Sequence, residues 1–505
     1  MAVSVLVLPC RHFQSRVLQW LLLVVLVLTV ACSAPTEQTV FDLLEPCTSD
    51  EGPSDGFCGT FDVAENPDEP SSKMIALKVV VLPALDSEPA PDPVFFLAGG
   101  PGQGSASLAA RIGGIFDPIR RKRDIVFVDQ RGTGESNRLV CDFHEDEEWI
   151  ADPPPLTAED VDKCIEQLDG DPRFYTTTIA MDDLDQVRDW LGYERINPMG
   201  VSYGTRAALV YLKRHPEQVR SVILDGVAPP DMALGLHAPR DAQRALDRLT
   251  EACLNSDSCN SRFPELGTKL DRLLAELERS PRQLTITHPR TGEEMDATIS
   301  RRFLSSTLFA ALYSPWTGSL VPLAIDRAAA GDYSIWATLA FSGEGLEDEM
   351  ASGMHFAVIC SEDYPRWVDA EMEDESGDSF VGRHGFNDRW QACEFWPRGE
   401  VDESFYEPVV SELPVLILSG DIDPITPPSW ADHVARHLPN SRHIIVPGTG
   451  HGVMAVGCAM RLIVQFLDEE TASNLDASCL DNQARPPFFL NNAGPYSPTE
   501  EDSDE

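Results

Sequence analysis

Five short runs of unbroken apolar residues constrain this chain more than any other feature: "VFFLAG" from residue 94, "DIVFVDQ" from 124, "SVILDG" from 221, "LPVLILSG" from 413 and "RHIIVPG" from 442. A strand with one wet face alternates apolar and polar residues. Runs of Val, Ile, Leu and Phe without alternation therefore require a sheet covered on both faces, the environment of parallel strands. Helical stretches lie between them, among them "MDDLDQVRDWLG" and "WADHVARHL". This alternation predicts an α/β fold, a mostly parallel sheet with helices on both faces. Between 231 and 405 strand-like runs become rare, and Leu270, Leu273, Leu274 and Leu277 recur at helical spacing. That region reads as an inserted, mainly helical cap with the leucines in its core.

The ends of the chain have a different character. Arg11 and Arg16 precede an apolar run from Trp20 to Ala31, too short for the roughly 20 residues of a membrane-spanning helix but suited to an export signal. Val30 and Ala31 before Cys32 resemble a bacterial lipobox, with Thr29 where that pattern prefers Leu. The expected layout is a signal peptide over 1–31, an N-terminal segment over 32–69, sheet core over 70–230, cap over 231–405 and the rest of the core over 406–480. Residues 481–505, acidic and poor in apolar side chains, are expected to be disordered. The protein is thus expected to be exported to the periplasm or cell envelope, lipid-anchored at Cys32 or otherwise secreted, touching membrane only through that anchor.

Of 12 cysteines, ten remain once Cys10 and Cys32 are set aside. An even count in an exported chain points to disulfides rather than metal. Sequential couples pair Cys47 with Cys58, Cys141 with Cys164, Cys253 with Cys259, Cys360 with Cys393 and Cys458 with Cys479. Neither CxxC nor HExxH occurs, and no metal or cofactor is expected. The formal charge of −43 would repel phosphate backbones, which excludes nucleic acid as a partner.

The chemistry is carried by "INPMGVSYGTRAALVYLKRHP" from 196. Gly200, Val201, Ser202, Tyr203 and Gly204 match G-x-S-x-G between an apolar run and a helical pattern. A serine on such a turn projects its hydroxyl out of the sheet, while the flanking glycines let neighbouring backbone approach. Pro198 removes a ladder hydrogen bond from the preceding strand, so that strand must be short or bulged. A serine needs a base and an orienting carboxylate. Asp421 and Asp423 follow the run at 413, and His451 in "GTGHG" follows the run at 442. Asp423, deeper in the turn before Pro424, is preferred over Asp421. The order Ser, Asp, His is that of α/β-hydrolases. The glycine-rich "FFLAGGPGQGS" from 95 offers backbone N–H groups to an oxyanion, with Gly100 and Tyr203 as donors. It lacks the Lys-Ser/Thr ending of a phosphate-binding loop.

Together, "GGPG", "DQRGTGES", "GVSYGT", "GDIDPITPP" and "GTGHG" resemble the prolyl aminopeptidase and tripeptidyl aminopeptidase branch of the α/β-hydrolases, serine peptidase family S33, over roughly residues 70 to 480. In the cap, "EACLNSDSCNSRFPEL" and "AVICSEDYP" resemble the tripeptidyl aminopeptidases. The resemblance implies Ser202 as nucleophile, His451 as base and then acid, Asp423 as its orienting group, and Gly100 with Tyr203 as oxyanion hole. Ala98 departs from the HGGPG loop of prolyl aminopeptidases, which favours the tripeptidyl type. The implied partner is a peptide with a free N-terminus. A buried carboxylate would hold its ammonium group, and Glu362 beside Cys360 is the candidate. An esterase on the same machinery is the alternative, because fold and triad do not define the acyl group. A non-catalytic scaffold would have no use for the full set of catalytic parts.

Overall fold

The computed structural model describes residues 40–47, 55–141, 143, 155–341, 350–367, 379–382 and 390–495. The leader, Cys32 and residues 496–505 lie outside them. Contacts divide the chain into Met1–Leu43 and Leu44–Glu505. Of the first unit, a 3-10 turn at Val40–Asp42 is described. Among the described residues no helix is long and apolar enough to cross a membrane.

The second unit is built on a sheet of nine strands. In chain order they are β1 (Glu45–Pro46), β2 (Phe57–Ala64), β3 (Met74–Leu82), β4 (Val94–Leu97), β5 (Ile125–Val128), β6 (Asn197–Val201), β7 (Val222–Asp225), β10 (Val415–Gly420) and β11 (Ser441–Val446), with β8 and β9 elsewhere. Their spatial order is β1-β2-β3-β5-β4-β6-β7-β10-β11. From β5 to β11 neighbouring strands are parallel, whereas β1, β2 and β3 run antiparallel to their neighbours. The five apolar runs are β4, β5, β7, β10 and β11. The first four of these are buried at every residue, as helices on both faces demand. The sheet begins earlier than residue 70, because β2 pairs along its whole length with β3. Its half-exposed, alternating burial is the pattern of a strand near a sheet edge, and continuous apolar runs do not reveal such strands.

Pro198 sits inside β6 opposite Phe95 of β4, yet pairing with β7 starts only at Met199 opposite Ile223. The neighbouring strand is broken at this level: Arg220 donates its N–H to Ile196, while Val222 donates to Pro414 on the far side. The missing proline N–H therefore meets a gap in the ladder rather than an unpaired carbonyl row, and β6 is only five residues long.

Helices α1 (Ser105–Ile112), α2 (Ala158–Gln167), α3 (Thr177–Trp190) and α4 (Tyr203–Arg214) belong to the first part of the core. The cap contains α5 (Ala238–Leu254), α6 (Leu266–Arg279), α7 (Arg301–Leu312), α8 (Val321–Ala329), α9 (Ser334–Phe341) and α10 (Ser352–Val358), together with a hairpin of β8 (Arg282–Thr287) and β9 (Glu294–Ile299). Leu270, Leu273, Leu274 and Leu277 are buried in a cap cluster with Phe263, Leu308 and Trp336. Phe488 and Leu490 join that cluster, and the Arg485 guanidinium lies 4.1 Å from the Phe488 ring centroid. Residues up to 495 are thus described, with Phe489 also packed against the cap cluster and its N–H donated to Ser319. After the cap, α11 (Pro428–Ala435) and α12 (Ala459–Glu469) complete the core. All five sequential cysteine couples are joined as disulfides.

Candidate active site

The strand ends converge. Ser202 follows β6 and caps α4 with φ 59° and ψ −128°, a positive φ that a side chain bearing Cβ adopts only under constraint. The constraint is visible: the Ser202 N–H donates to the Asp225 carbonyl at 2.9 Å, and its carbonyl accepts from Thr205 N–H and from Thr205 Oγ1 at 2.6 Å. Close approach is also required on both sides. A Cβ on Gly204 would overlap the Leu97 carbonyl, and one on Gly99 would lie 3.1 Å from Ser202 Cβ and 3.6 Å from Oγ. The glycine-rich loop after β4 thus lies directly against the serine.

His451, in the loop after β11, bonds through Nδ1 to Asp423 Oδ2 at 2.8 Å. Asp423 is fully buried and accepts N–H groups from Ile425 and Thr426 and the Thr426 hydroxyl. Burial alone would raise its pKa, but the His451 charge and these donors outweigh that and hold it below the ordinary value. For His451 burial disfavours the imidazolium, yet Asp423 and Asp225 prevail and its pKa lies above the usual one. Asp421 faces elsewhere and accepts the Thr449 N–H. The cap supports both loops. Tyr313, just after α7, accepts the His451 N–H at 2.9 Å and sets its ring edge-on to the imidazole, while Arg244 of α5 donates to the carbonyls of Asp421 and Asp423.

Gly100 has φ 111° and lies in the loop whose carbonyl at Gly102 accepts the Ala351 N–H from the cap. Tyr203 is the first residue of α4, a position whose N–H has no partner within the helix. Gly99 of this loop lies directly against Ser202 with Gly100 the next residue, and the α4 N-terminus, beginning at Tyr203, brings positive potential to the serine. Asp129, from "DQRGTGES", holds this loop from behind by accepting N–H groups of Ala106, Ser107 and Glu135. Burial pushes its carboxyl up to about 6 against the pull of those donors.

Glu362 is closed to solvent. Its carboxylate accepts the Thr177 N–H at 2.6 Å, the Thr177 hydroxyl at 2.9 Å and Arg206 at 3.4 Å, and Thr177 in turn bonds the Tyr203 hydroxyl at 2.7 Å. Burial raises its pKa to about 7, with Arg206 opposing. The sequence alone does not single out Thr426, Asp225, Tyr313 and Arg244. Thr426 and Asp225 stand inside recognisable strand-end runs, "GDIDPITPP" and "SVILDG", whereas no local signal marks the two cap residues.

A serine on a strained turn, a histidine paired to a buried aspartate and a nearby glycine loop, all at the C-terminal ends of parallel strands, define a serine hydrolase of α/β fold. The sequence profile described as alpha/beta hydrolase fold matches residues 92–457, and the chain belongs to that family. It is similar to the serine protease Hip1 of Mycobacterium tuberculosis, 23% identical over 478 residues that cover 86% of this chain and 90% of that protein. A tripeptidyl aminopeptidase of Streptomyces lividans is 31% identical over 150 residues, 26% of this chain and 28% of that one. Among solved structures, the proline iminopeptidase of Mycobacterium smegmatis aligns with a TM-score of 0.39 and 19% identity, covering 82% of this chain and 98% of that one.

Proposed function

We propose that this chain is an exported serine aminopeptidase that releases short N-terminal pieces from peptides through an acyl-enzyme. The observation that carries the chemistry is the His451 to Asp423 bond of 2.8 Å on the loops beside the Ser202 turn. With Nδ1–H donated to Asp423, Nε2 is left as the base that takes the Ser202 proton during attack on the carbonyl carbon. Gly100 and Tyr203 N–H groups receive the developing oxyanion. The protonated imidazole then donates to the leaving amine, and water repeats the sequence to release the acyl group. The peptidase names of the relatives and the motif resemblance support a peptide substrate, and the five disulfides support an oxidising compartment.

The test compares kcat/KM on peptide anilides of one to three residues, each with a free or acetylated N-terminus, with Ser202→Ala as the blank. Strong preference for the free amine is expected, with the best length naming the subtype; equal or absent cleavage beside turnover of simple esters would move the chain to the esterase reading. The same assay separates two roles for Glu362. As an amine receptor, Glu362→Gln lowers the free-to-acetylated ratio. As a support for Thr177 and Tyr203, it lowers turnover of both substrates alike. Full burial and three donors favour the second role.

A further inference from the structure

Asp225 ends β7 fully buried, and among the described residues no cationic side chain hydrogen-bonds to it. Its carboxylate instead accepts the backbone N–H of Val453 through both oxygens, at 3.0 and 2.8 Å, and that of Met454 at 2.8 Å, both just beyond His451. Its own carbonyl accepts the Ser202 N–H. The next residue, Gly226, has φ 69° and lies against the imidazole, where a Cβ would come 3.2 Å from His451 Cε1 and 3.4 Å from Nδ1. One residue thus grips the nucleophile turn with its main chain and the histidine loop with its side chain.

We propose that Asp225 is a positioning residue for the reaction, which clamps the His451 loop to the Ser202 turn and supplies the imidazole with a second negative charge beside Asp423. This rests on the Ser202, Asp423 and His451 reading. A hydrophobic residue of the same volume would leave the Val453 and Met454 N–H groups unpaired, whereas an amide oxygen could accept them without carrying a charge, so hydrogen-bond satisfaction alone does not call for a carboxylate here. The groups that set the histidine's charge are the two aspartates, one from the turn after β10 and one from the end of β7. Burial raises Asp225 to about 6, opposed by the N–H groups of Met454 and Val453 and by His451, with Asp423 adding to the rise.

The experiment measures the rate of covalent labelling by a fluorophosphonate as a function of pH in wild type, Ser202→Ala, Asp225→Asn and Asp225→Glu, with near-ultraviolet circular dichroism to establish folding. Absence of labelling in wild type, or its persistence in Ser202→Ala, would remove the triad and this inference together. With labelling confined to an intact Ser202, Asp225→Asn is expected to slow it about 10- to 100-fold, the order of loss from a small misplacement of a reacting group. Its acidic limb should move to lower pH by about half a unit to one unit, because one carboxylate no longer stabilises the imidazolium. Asp225→Glu should keep the wild-type limb at a reduced rate. A slower Asp225→Asn with an unmoved limb, or one at wild-type rate, would overturn the proposal. Where Asp225→Asn does not fold, Asp225→Glu decides alone: a displaced limb or an undiminished rate would overturn it.

Discussion

At the residue scale, the two aspartates of "GDIDP" illustrate how position separates equal chemistry. Asp423 reaches His451, while Asp421 is spent on the Thr449 N–H. Asp423→Asn is therefore expected to reduce kcat on the order of 10⁴-fold, the cost of a triad histidine held in the wrong tautomer, whereas Asp421→Asn should change it only a few-fold. Steady-state kinetics on one good peptide anilide decides; a larger loss at Asp421 would reverse the assignment. Ser202→Ala should abolish turnover by about 10⁶-fold. The candidate nucleophile, base and acid were legible in sequence because each follows a recognisable strand in a glycine-marked turn. Thr426, which donates to Asp423 Oδ2 beside the histidine, was not, since a threonine in a turn has many uses.

At the scale of elements, the site depends on how closely β4, β6 and α4 approach one another. Gly204, at the second position of α4, faces the Leu97 and Ala98 carbonyls at the end of β4 with no room for a methyl group. Gly204→Ala must push backbone against backbone, and overpacking of that kind costs about 1–3 kcal/mol or more. We expect a lower thermal midpoint and at least about a tenfold loss of kcat/KM, because the strand displaced by the methyl carries the glycine loop beside Ser202. An active Gly204→Ala of wild-type stability would show that the crossing is looser than described. The parallel strands were legible since burial on both faces leaves continuous apolar runs. The β2 strand and the β8–β9 hairpin were not, because their half-exposed residues do not form such runs.

For the whole molecule, charge sets the response to pH. Asp129 and Asp225 are raised by burial from 3.8 to about 6, and Glu362 from 4.5 to about 7. A carboxyl whose folded pKa exceeds its unfolded one binds more protons when folded, so its stabilising share is full below the unfolded value and is lost as pH rises through the folded one. These three weaken the fold progressively between about pH 4 and pH 7. Asp182, Asp185, Asp326 and Asp468, each lowered by cationic partners against their own desolvation, act in the opposite sense and lose their contribution only toward stronger acid. The net charge of −43 adds self-repulsion that acid relieves and salt screens. The thermal midpoint is expected to be higher near pH 5 than at pH 8, and added salt should raise it more at pH 8; calorimetry showing the reverse order would contradict this balance. By itself the sequence determined the α/β architecture and named, as expectations, the cysteine couples and the residues of the candidate triad, because burial periodicity, cysteine order and turn chemistry are local in the chain. Only the tertiary structure decided that Glu362 is closed in a charged network, that Phe488 and Leu490 dock against the cap, and that Asp225 joins the Ser202 turn to the His451 loop. Those outcomes depend on which distant segments share a surface, and hydrogen-bond satisfaction across that surface leaves no periodic mark in either segment.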